Sequence, residues 1–595
     1  MKTVSRAVKA GCVFAAAWCL FGLSSPMAQA QVLTQVPSDA LVVLKINKLQ
    51  DTNTKIASFL QTLGVTDLQP TLKDPLASLE AQSGLGAGLD TKRDAAAVIL
   101  NGAFTDDGPP PFVLLLPVSD YKAFLGSVTV VRTEGDVTVV HFKDNEDDAF
   151  VENWGDYAAI SDKKDNVLVK HEGLTVKGLS AKQMDEKDLC IYVNFPSLKT
   201  VLLPQLQQAP DKAMEQIAKT QTDPNKLKLA KIAITQLVAA ATEFVNDAEG
   251  ATIGFSVGDE GFTSNTVVEF TPDSYLAKIV STMKSTDAPL LVGLPKENYL
   301  FFGGYVQDPA AVAKALDEII APITRQLADA GDDGKKLNDV ISAYRDMISA
   351  PDSGAFGMVA PTAALGQGPL IRFLAAYKGD MDKFKASQLK IADSQNQLMA
   401  LMGMPGGDLF TTTVTPNFKT VNGVKFDRIQ TEVNPNNTSQ EAMQVNDQLS
   451  KMYGPDGARV FVGTVDPKTL VTSLGIDDDL LGQSIDSIKD NKDLLVDDLK
   501  LVDAGLPKTR SMVAYVGLDQ MLTTIISYAK ANGIPIPVQL PNNLPPIGFA
   551  AGTDGPSIHS DMFIPTKLMQ SLVQAGATVF QQFNNHGGGG GGGGL

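Results

Sequence analysis

Two short segments decide the fold: IGFSVGDEG at residues 253–261 and IGFAAGTDG at residues 547–555. Each pattern indicates a strand that reaches a Gly-x-x-Gly turn, from which a second strand leaves. Glycine suits such turns because it tolerates the positive φ angles that tight hairpins need. Two similar hairpins so far apart in the chain predict a tandem duplication of one structural unit.

The rest of the chain repeats other patterns in the same order. In both halves, a short segment that contains proline precedes an apolar run. Each half then has short apolar strands and a D-x-x-x-F element. The corresponding stretches, first half against second, are residues 36–46 and 294–302, 97–100 and 357–360, 120–124 and 380–384, and 191–193 and 514–516. The alternative is that proline-entered strands and glycine turns recur without common origin. A polar stretch at 285–289 predicts the boundary, with units at 31–285 and 290–583.

Strand patterns occur mainly as meanders. Residues 137–142, 149–152 and 157–160 are apolar-rich runs that acidic or glycine-containing turns connect. Sustained β-α-β alternation with glycine-rich phosphate loops is not found in the sequence. We therefore predict an α+β fold with two similar halves, each of mainly antiparallel sheet with helices packed on one side.

Helical stripes lie between the strand patterns. Residues 227–245 keep apolar side chains on one face, and a second stripe spans 312–327, where Pro322 should kink or break the helix. Thr438 and Glu441 have the spacing of a capping box. These stripes indicate core-facing helices, because the opposite faces are polar.

The first 30 residues have the three parts of a secretory signal peptide. Lys2, Arg6 and Lys9 precede an apolar run at 12–23, and AQA at 28–30 is a small-x-small cleavage site. The run is shorter than the roughly 20 residues that span a bilayer, which favours a cleaved signal over an anchor helix. We expect export to the periplasm, cell envelope or extracellular space, with no transmembrane anchor after cleavage.

Composition limits the partners and the chemistry. The 595 residues carry a net charge of −17, and loss of three basic residues with the signal would make it −20. So acidic a chain lacks the Lys and Arg excess that a phosphate backbone requires, which argues against nucleic acid. Cys190 is the only cysteine after the signal, so no intrachain disulfide is expected, and its apolar neighbours predict a buried thiol.

Catalytic motifs are sparse. The sequence contains no HExxH, CxxC, GxSxG or Walker-type loop, and each of these absences removes the mechanism that depends on that spacing. Ser161 and Lys164, like Ser281 and Lys284, have serine acyltransferase spacing but lack convincing downstream partner motifs. We predict no catalytic residues and no enzymatic activity.

Metal and cofactor ligands are not evident either. His141, His171, His559 and His586 do not share the spacing of a common metal site. Acidic clusters at 144–148 and 477–479 could offer oxygen ligands to calcium but do not follow the EF-hand pattern, so solvated turns are the favoured interpretation. We predict no metal, no cofactor and no cofactor-binding residues.

The chain ends in a glycine-rich tail, residues 584–595, with eight consecutive glycines. Glycine buries no side chain and loses the most backbone entropy on ordering, so we expect a flexible tail. The amphipathic segment before it predicts a final helix that ends near residue 583. The alternative is that the tail is a recognition tag for sorting.

The proline-entered strand at 36–46, which follows a signal peptide, and the YAAIS element at 157–161 resemble a group of uncharacterised bacterial exported proteins. These are domains of unknown function that are often long and repeated. The resemblance covers residues 36–285 and extends weakly into the second half. It implies an exported, duplicated protein and brings no catalytic residues.

These observations predict an exported, non-enzymatic binding or structural protein of the cell envelope. Its partner would be an envelope component or a small apolar ligand. Two alternatives remain open. One is a hydrolase of an envelope polymer that uses two scattered carboxylates. The other is a carrier that holds an apolar molecule between the two halves.

Overall fold

The computed structural model describes residues 31–587, apart from gaps at 103–109, 222–223, 329–330, 363–367, 402–408, 455–456, 532, 535–540 and 542. The predicted signal peptide and the last eight residues of the predicted tail lie outside the described residues. The chain divides into two compact units. The first unit comprises Met1–Ser281 and Asp554–Val573, and the second comprises Thr282–Thr553 and Gln574–Leu595.

The described residues form twenty strands. In chain order they are β1 (Val42–Ile46), β2 (Ala95–Ile99), β3 (Phe112–Pro117), β4 (Thr129–Glu134), β5 (Val137–His141), β6 (Ala149–Trp154), β7 (Tyr157–Ser161), β8 (Leu189–Asn194), β9 (Ala248–Val257), β10 (Gly261–Phe270), β11 (Tyr299–Val306), β12 (Pro351–Val359), β13 (Arg372–Gly379), β14 (Phe410–Val421), β15 (Val424–Val433), β16 (Ala458–Asp466), β17 (Thr469–Leu474), β18 (Met512–Val516), β19 (Ile547–Asp554) and β20 (Ser557–Pro565).

Seventeen helices lie in the same part of the chain. They are α1 (Leu49–Thr62), α2 (Val65–Leu68), α3 (Pro75–Ser83), α4 (Tyr121–Gly126), α5 (Lys164–Val167), α6 (Gly178–Glu186), α7 (Phe195–Thr220), α8 (Pro224–Asp247), α9 (Tyr275–Ser281), α10 (Pro309–Ala328), α11 (Gly331–Ser349), α12 (Met381–Leu401), α13 (Gln440–Tyr453), α14 (Asp478–Lys489), α15 (Val496–Ala504), α16 (Leu518–Ala531) and α17 (Thr566–Gly587). The helices and the antiparallel strands confirm the predicted α+β class.

The strands of the first unit pair in the order β4-β5-β6-β7-β3-β2-β1-β8-β9-β10-β20, and every pair is antiparallel. The last strand, β20, comes from the far end of the sequence and pairs with β10 from Gly261 opposite Pro565 to Glu269 opposite Ser557. This pairing explains why Asp554–Val573 belongs to the first unit. The predicted second unit, 290–583, is therefore interrupted by that segment.

The strands of the second unit pair in the order β14-β15-β16-β17-β13-β12-β11-β18-β19, again all antiparallel. This is the order of β4 to β9 in the first unit, strand for strand. In both units, the central strand pairs with the strand that comes next in the chain. These pairs are β1 with β2 and β11 with β12. The shared order supports the duplication, which stays a prediction from the sequence.

Apolar side chains cover both faces of the first sheet. One cluster joins Ile46 and Leu189 to Ile56 of α1 and Phe124 of α4. On the other face, a second cluster joins Val43, Cys190 and Tyr192 to Met184 of α6. The larger helices thus pack on one side, as predicted, and the short helix α6 lies over the opposite side. In the second unit, Met381 and Phe384 of α12 pack on Val462 and Leu470.

Four local predictions differ from the structure. Gly258 and Gly261 do not have positive φ angles. Gly261 is needed because a Cβ there would lie 2.5 Å from the carbonyl oxygen of Ile564. Helix α10 continues through Pro322 to Ala328 without a break. Ser439, not Thr438, caps α13, since its Oγ accepts a hydrogen bond from the backbone N of Ala442. Helix α17 extends to Gly587, beyond the predicted end near 583.

Candidate functional site

The second unit contains an open groove of about 430 Å³. Its walls come from the start of α10, the end of α11, the start of β12 and the start of α12. The lining residues are Pro309, Ala310, Ala313, Arg345, Ser349, Ala350, Asp352, Asp380 and Lys383. The volume lies in the range of clefts that hold small molecules.

Close backbone packing and helix caps position the walls of this groove. The backbone N of Asp380 donates to the carbonyl of Ala350 at 3.0 Å, which joins the start of α12 to the start of β12. A Cβ on Gly379 would lie 2.5 Å from that same carbonyl oxygen, so only glycine permits this approach. The Asp380 carboxylate then caps α12 by accepting from the backbone N of Lys383 at 3.1 Å.

An ion-pair network holds the basic side chains of the groove. Arg345 donates from Nε and Nη2 to the two carboxylate oxygens of Asp317, at 2.9 and 2.6 Å, and from Nη1 to Asp346 at 2.6 Å. The Lys383 ammonium lies 3.0 Å from Asp346. Burial opposes ionisation of Asp346, but the hydrogen bonds from Arg345 and Lys383 hold its pKa below the ordinary value. Those from Arg345 also lower the pKa of Asp317.

The other polar groups of the groove have fewer partners. The exposed carboxylates of Asp352 and Asp380 make no ion pair with a basic side chain of the described residues. Ser349 is 2% exposed, and its buried Oγ has no hydrogen-bond partner within the described part of the chain. Buried hydroxyls are normally hydrogen-bonded, so this unsatisfied Oγ lowers the stability of the folded state rather than offering a contact to a ligand in the groove.

A second polar cluster is buried in the first unit, beneath α6. Lys45 of β1 pairs with Cys190 of β8, which pairs with Gly254 of β9, so the three form a row across the sheet. A Cβ on Gly254 would lie 2.6 Å from Cγ of Lys187 and 3.1 Å from Oε1 of Gln183. The absent side chain of Gly254 therefore makes room for the end of α6.

Lys45 is only 1% exposed, yet its ammonium is satisfied. Nζ donates to the carbonyl of Met184 at 2.7 Å and lies 3.0 Å from the carboxylate of Asp94. The Cys190 thiol donates to the carbonyl of Gln183 at 3.0 Å, and burial raises its pKa to about 12. The structure confirms the predicted burial of this thiol, and a thiol of this pKa stays protonated near neutral pH.

An acidic side chain lies at the end of the same cluster. Asp188 is 4% exposed, with Oδ1 3.6 Å from Nζ of Lys55. Its Oδ2 has no hydrogen-bond partner within the described ranges. Burial raises the pKa of Asp188 to about 7, although Lys55 opposes the shift. Burial also lowers the pKa of Lys55 and of Lys187.

The second unit has apolar side chains at the corresponding positions. Phe302 pairs with Tyr515, which pairs with Gly548, and the two aromatic rings stack with centroids 4.9 Å apart. A Cβ on Gly548 would meet Val502 and Leu506, which have the same four-residue spacing as Gln183 and Lys187. The Tyr515 hydroxyl also donates to the carboxylate of Asp503, which lies 3.1 Å from Arg510. The second unit therefore has its charged groups beside this row, whereas the first unit has Lys45 within it.

The sequence-selected Ser and Lys residues do not form pairs. Ser161 donates to the carbonyl of Phe112 at 2.6 Å, whereas the Lys164 ammonium lies 3.0 Å from Glu134. Ser281 donates to the carbonyl of Lys278 within its own helix. Each hydroxyl thus has a backbone partner, and neither can lose its proton directly to the lysine three residues later.

The histidines and acidic clusters have separate surroundings. His141 lies 2.9 Å from Asp148, His559 lies 2.8 Å from Asp561, and His171 stacks on Trp154 with a centroid distance of 4.2 Å. The predicted solvated acidic turns instead contain ion pairs and caps. Asp148 pairs with Arg132 at 2.9 Å. Asp477 caps α14 and lies 3.2 Å from Arg372. His586 is the second-to-last residue of α17.

The described residues contain no cluster of three or more His, Cys, Asp or Glu that could hold a metal ion. In the same part of the chain, no helix has the length and apolar character needed to cross a membrane.

The sequence predicted the burial of Cys190, but it did not predict a role for Lys45 or for the residues of the groove. Lys45 interrupts the apolar run VVLKI, and a charge inside a strand that is buried on both faces is a usable signal. Arg345 and Lys383 give no such signal, because basic residues on helices usually face solvent.

Comparisons with known proteins give little. No family model matches the chain, and no curated protein matches it. Two solved structures, crystal forms IV and III of TP0453, have 11% and 9% sequence identity to it and TM-scores of 0.19 and 0.18. They cover 48% and 49% of this chain and 96% and 100% of their own. TM-scores this low carry no argument about fold or function.

Proposed function

We propose that the protein is an exported, non-enzymatic binding protein of the cell envelope, and that the groove beside Arg345 is its binding site. The observation that carries this proposal is the open cavity of about 430 Å³, whose lining combines small apolar side chains with Arg345, Lys383, Asp352 and Asp380. Export rests on the sequence pattern of residues 1–30 and on the resemblance to uncharacterised exported proteins.

The charges of the groove favour binding over catalysis. A general acid in a glycosidase needs a raised pKa, so that it is protonated near neutral pH. Asp317 and Asp346 instead have lowered pKa values, because Arg345 donates hydrogen bonds to both. The acidic group whose pKa is raised to about 7, Asp188, is buried in the first unit beside Lys55.

Two alternatives have their own supporting observations. Asp352 and Asp380 line one groove, as the two carboxylates of a hydrolase would. Pro309 and three alanines give the groove an apolar portion, as a carrier of an apolar ligand would need. Four charged residues in the same lining make it more polar than the cavities that hold purely apolar molecules.

The test is mass spectrometry of material that copurifies with the exported chain. We expect a small molecule with the wild type and its loss from an Ala313→Leu variant, because the larger side chain fills the groove. Ala240→Leu, at an exposed position of α8, is the matched control and should retain the molecule. Retention by Ala313→Leu would overturn the assignment of the site.

The hydrolase alternative has a separate test. The purified chain is incubated with cell-wall polymer, and released soluble fragments are measured. We expect no release above that of a heat-denatured sample. Release that disappears in an Asp352→Asn/Asp380→Asn variant would replace the binding proposal with an enzymatic one.

A further inference from the structure

We infer that helix α6 is a lid on the first unit, which is hinged at its C-terminal end and opens at its N-terminal end while the sheet beneath it stays folded. The helix has nine residues, Gly178–Glu186, and covers one stretch of strand β9. The lid belongs to the first unit and acts independently of the groove and of the binding function proposed for it.

Helix α6 runs along β9 from the level of Gly250 to that of Gly254. Near its start, a backbone N–H of the helix donates to the carboxylate of Glu269, the residue that pairs with Gly250. Near its end, Oε1 of Gln183 would lie 3.1 Å from a Cβ on Gly254. The helix therefore covers the part of β9 between these two glycines, where alternate side chains point toward it.

Polar atoms without partners lie between α6 and this part of β9. Thr252, midway between the two glycines, is fully buried, and so is Ser180 on the inner side of the helix. Oγ1 of Thr252, Oγ of Ser180 and Oε1 of Gln183 have no hydrogen-bond partner within the described ranges. A buried polar atom without a partner has given up its hydrogen bonds to water, which destabilises the closed position of the helix. Opening returns these bonds.

The second unit contains a matching helix with apolar contacts. Helix α15 also has nine residues, and it lies over Gly548 as α6 lies over Gly254. At the same spacing, the inward residues in and just after the helix are apolar in the second unit but polar in the first. They are Leu499, Val502 and Leu506 for α15, and Ser180, Gln183 and Lys187 for α6. Opening α15 would expose apolar surface and satisfy no buried polar atom of these three residues, so we expect α15 to stay closed.

The C-terminal end of α6 has the properties of a hinge. Nζ of Lys45 and Nδ2 of Asn47 donate to the carbonyl of Met184, at 2.7 and 3.0 Å. This carbonyl lies in the last turn, where a helix leaves such groups without intrahelical partners. The thiol of Cys190 donates to the carbonyl of Gln183 at 3.0 Å. Met184 is also fully buried in the same apolar cluster as Cys190. This end is therefore attached to the sheet at several points.

The N-terminal end is attached by fewer contacts. The backbone N of Leu179 donates to Oε1 of Glu269 at 2.9 Å. Gly178 makes room for this carboxylate, since a Cβ there would lie 1.9 Å from the same oxygen. Lys177 lies 3.5 Å from Glu249 at the surface, where ion pairs stabilise little. The Glu269 carboxylate is therefore the latch of the lid.

Hydrogen exchange of the full chain, measured by mass spectrometry, tests the inference. A detached nine-residue helix unwinds in water, so its amide protons exchange whenever the lid opens. After correction for the intrinsic rate of each sequence, we expect residues 178–187 to exchange roughly tenfold faster, or more, than residues 496–506. Residues 248–257 of β9 should stay protected. Equal protection of α6 and α15, or exchange of β9 as fast as that of α6, would overturn the inference.

A double variant tests the polar contacts beneath the lid. Ser180→Ala/Gln183→Met removes two unpartnered oxygens and nearly keeps the size of both side chains, so exchange of α6 should slow by roughly tenfold. Lys182→Met, at an exposed position of the same helix, is the control and should exchange like the wild type. Circular dichroism confirms that each variant is folded before exchange is compared. Equal exchange of α6 in the double variant and the wild type would contradict the lid.

A further variant tests the latch. Glu269→Gln keeps an oxygen that can accept the hydrogen bond from Leu179 but removes the charge that strengthens it. We expect exchange of α6 to become severalfold faster, with β9 still protected. Exchange that stays the same or slows in this variant would show that Glu269 does not hold the lid closed, and the inference would then fail at its N-terminal end.

Discussion

Asp188 shows how one side chain can make stability depend on pH. Its carboxyl is buried beside Lys55, and burial raises its pKa to about 7 from the ordinary 3.8. The folded state therefore holds a proton that the unfolded state has already released between pH 4 and 7. The contribution of this group to stability is fully present below pH 4 and is lost as the pH rises through 7.

We expect the free energy of unfolding to rise at pH 8 when Asp188 is replaced by Asn, since the substitution removes a buried charge. The pKa shift sets an upper limit of about 4 kcal/mol on this effect. Urea titrations at pH 5, 6, 7 and 8 measure it. Asp185→Asn, at an exposed position of α6, is the control and should follow the wild type at every pH. A variant that loses stability at pH 8 would show that the Asp188–Lys55 ion pair is net stabilising.

At the scale of elements, strand patterns were predicted better than the contacts that join them. The runs at 137–142 and 157–160 are strands β5 and β7, because a short continuous apolar run is typical of a strand that is buried on both faces. Lys45 is different, since its partner Met184 lies 139 residues away in the chain. The groove was also not predicted, because its walls come from three helices and a strand whose packing no local pattern encodes.

The packing of α6 on β9 gives a test at this scale. Gly254→Ala would place a Cβ 2.6 Å from Cγ of Lys187, so the end of α6 must shift. We expect a loss of roughly 1–3 kcal/mol in the free energy of unfolding. Gly258→Ala, at the position directly after the end of β9 and with no atom within 4 Å of its added Cβ, should stay within about 0.5 kcal/mol of the wild type. Chemical denaturation compares the two, and equal effects would contradict the packing argument.

For the whole molecule, the repeat was predicted from paired motifs and the strand orders agree with it, but the division of the chain was not predicted. Residues 253–261 and 547–555 indicate equivalent hairpins and say nothing about which sheet the last strand joins. That choice depends on β20 pairing with β10, a contact between segments far apart in the chain, since the paired residues Asn265 and Asp561 are 296 positions apart. Sequence similarity between the repeats cannot tell whether the last strand belongs to the first unit or to the second.

A fragment of residues 31–281 should therefore be incomplete. Without β20, the backbone N–H and C=O groups of β10 that face it lose their partners, while those that face β9 keep theirs, and an unpaired edge promotes aggregation. We expect this fragment to melt at a lower temperature than the first unit of the full chain, and a peptide of residues 554–573 to bind it and raise its melting temperature. A peptide of the same composition in scrambled order is the control. A fragment that ignores the peptide and shows no loss of stability would contradict the pairing.

The same pairing imposes an order on biosynthesis. A ribosome must add roughly 270 further residues after the first segment of the first unit before β20 exists, which takes roughly 15–55 s at the usual rate of elongation. Throughout that interval β10 has no neighbour on one side. The first unit therefore cannot complete its sheet until the C-terminal strand has been synthesised. We expect the nascent chain to need protection from aggregation until translation ends.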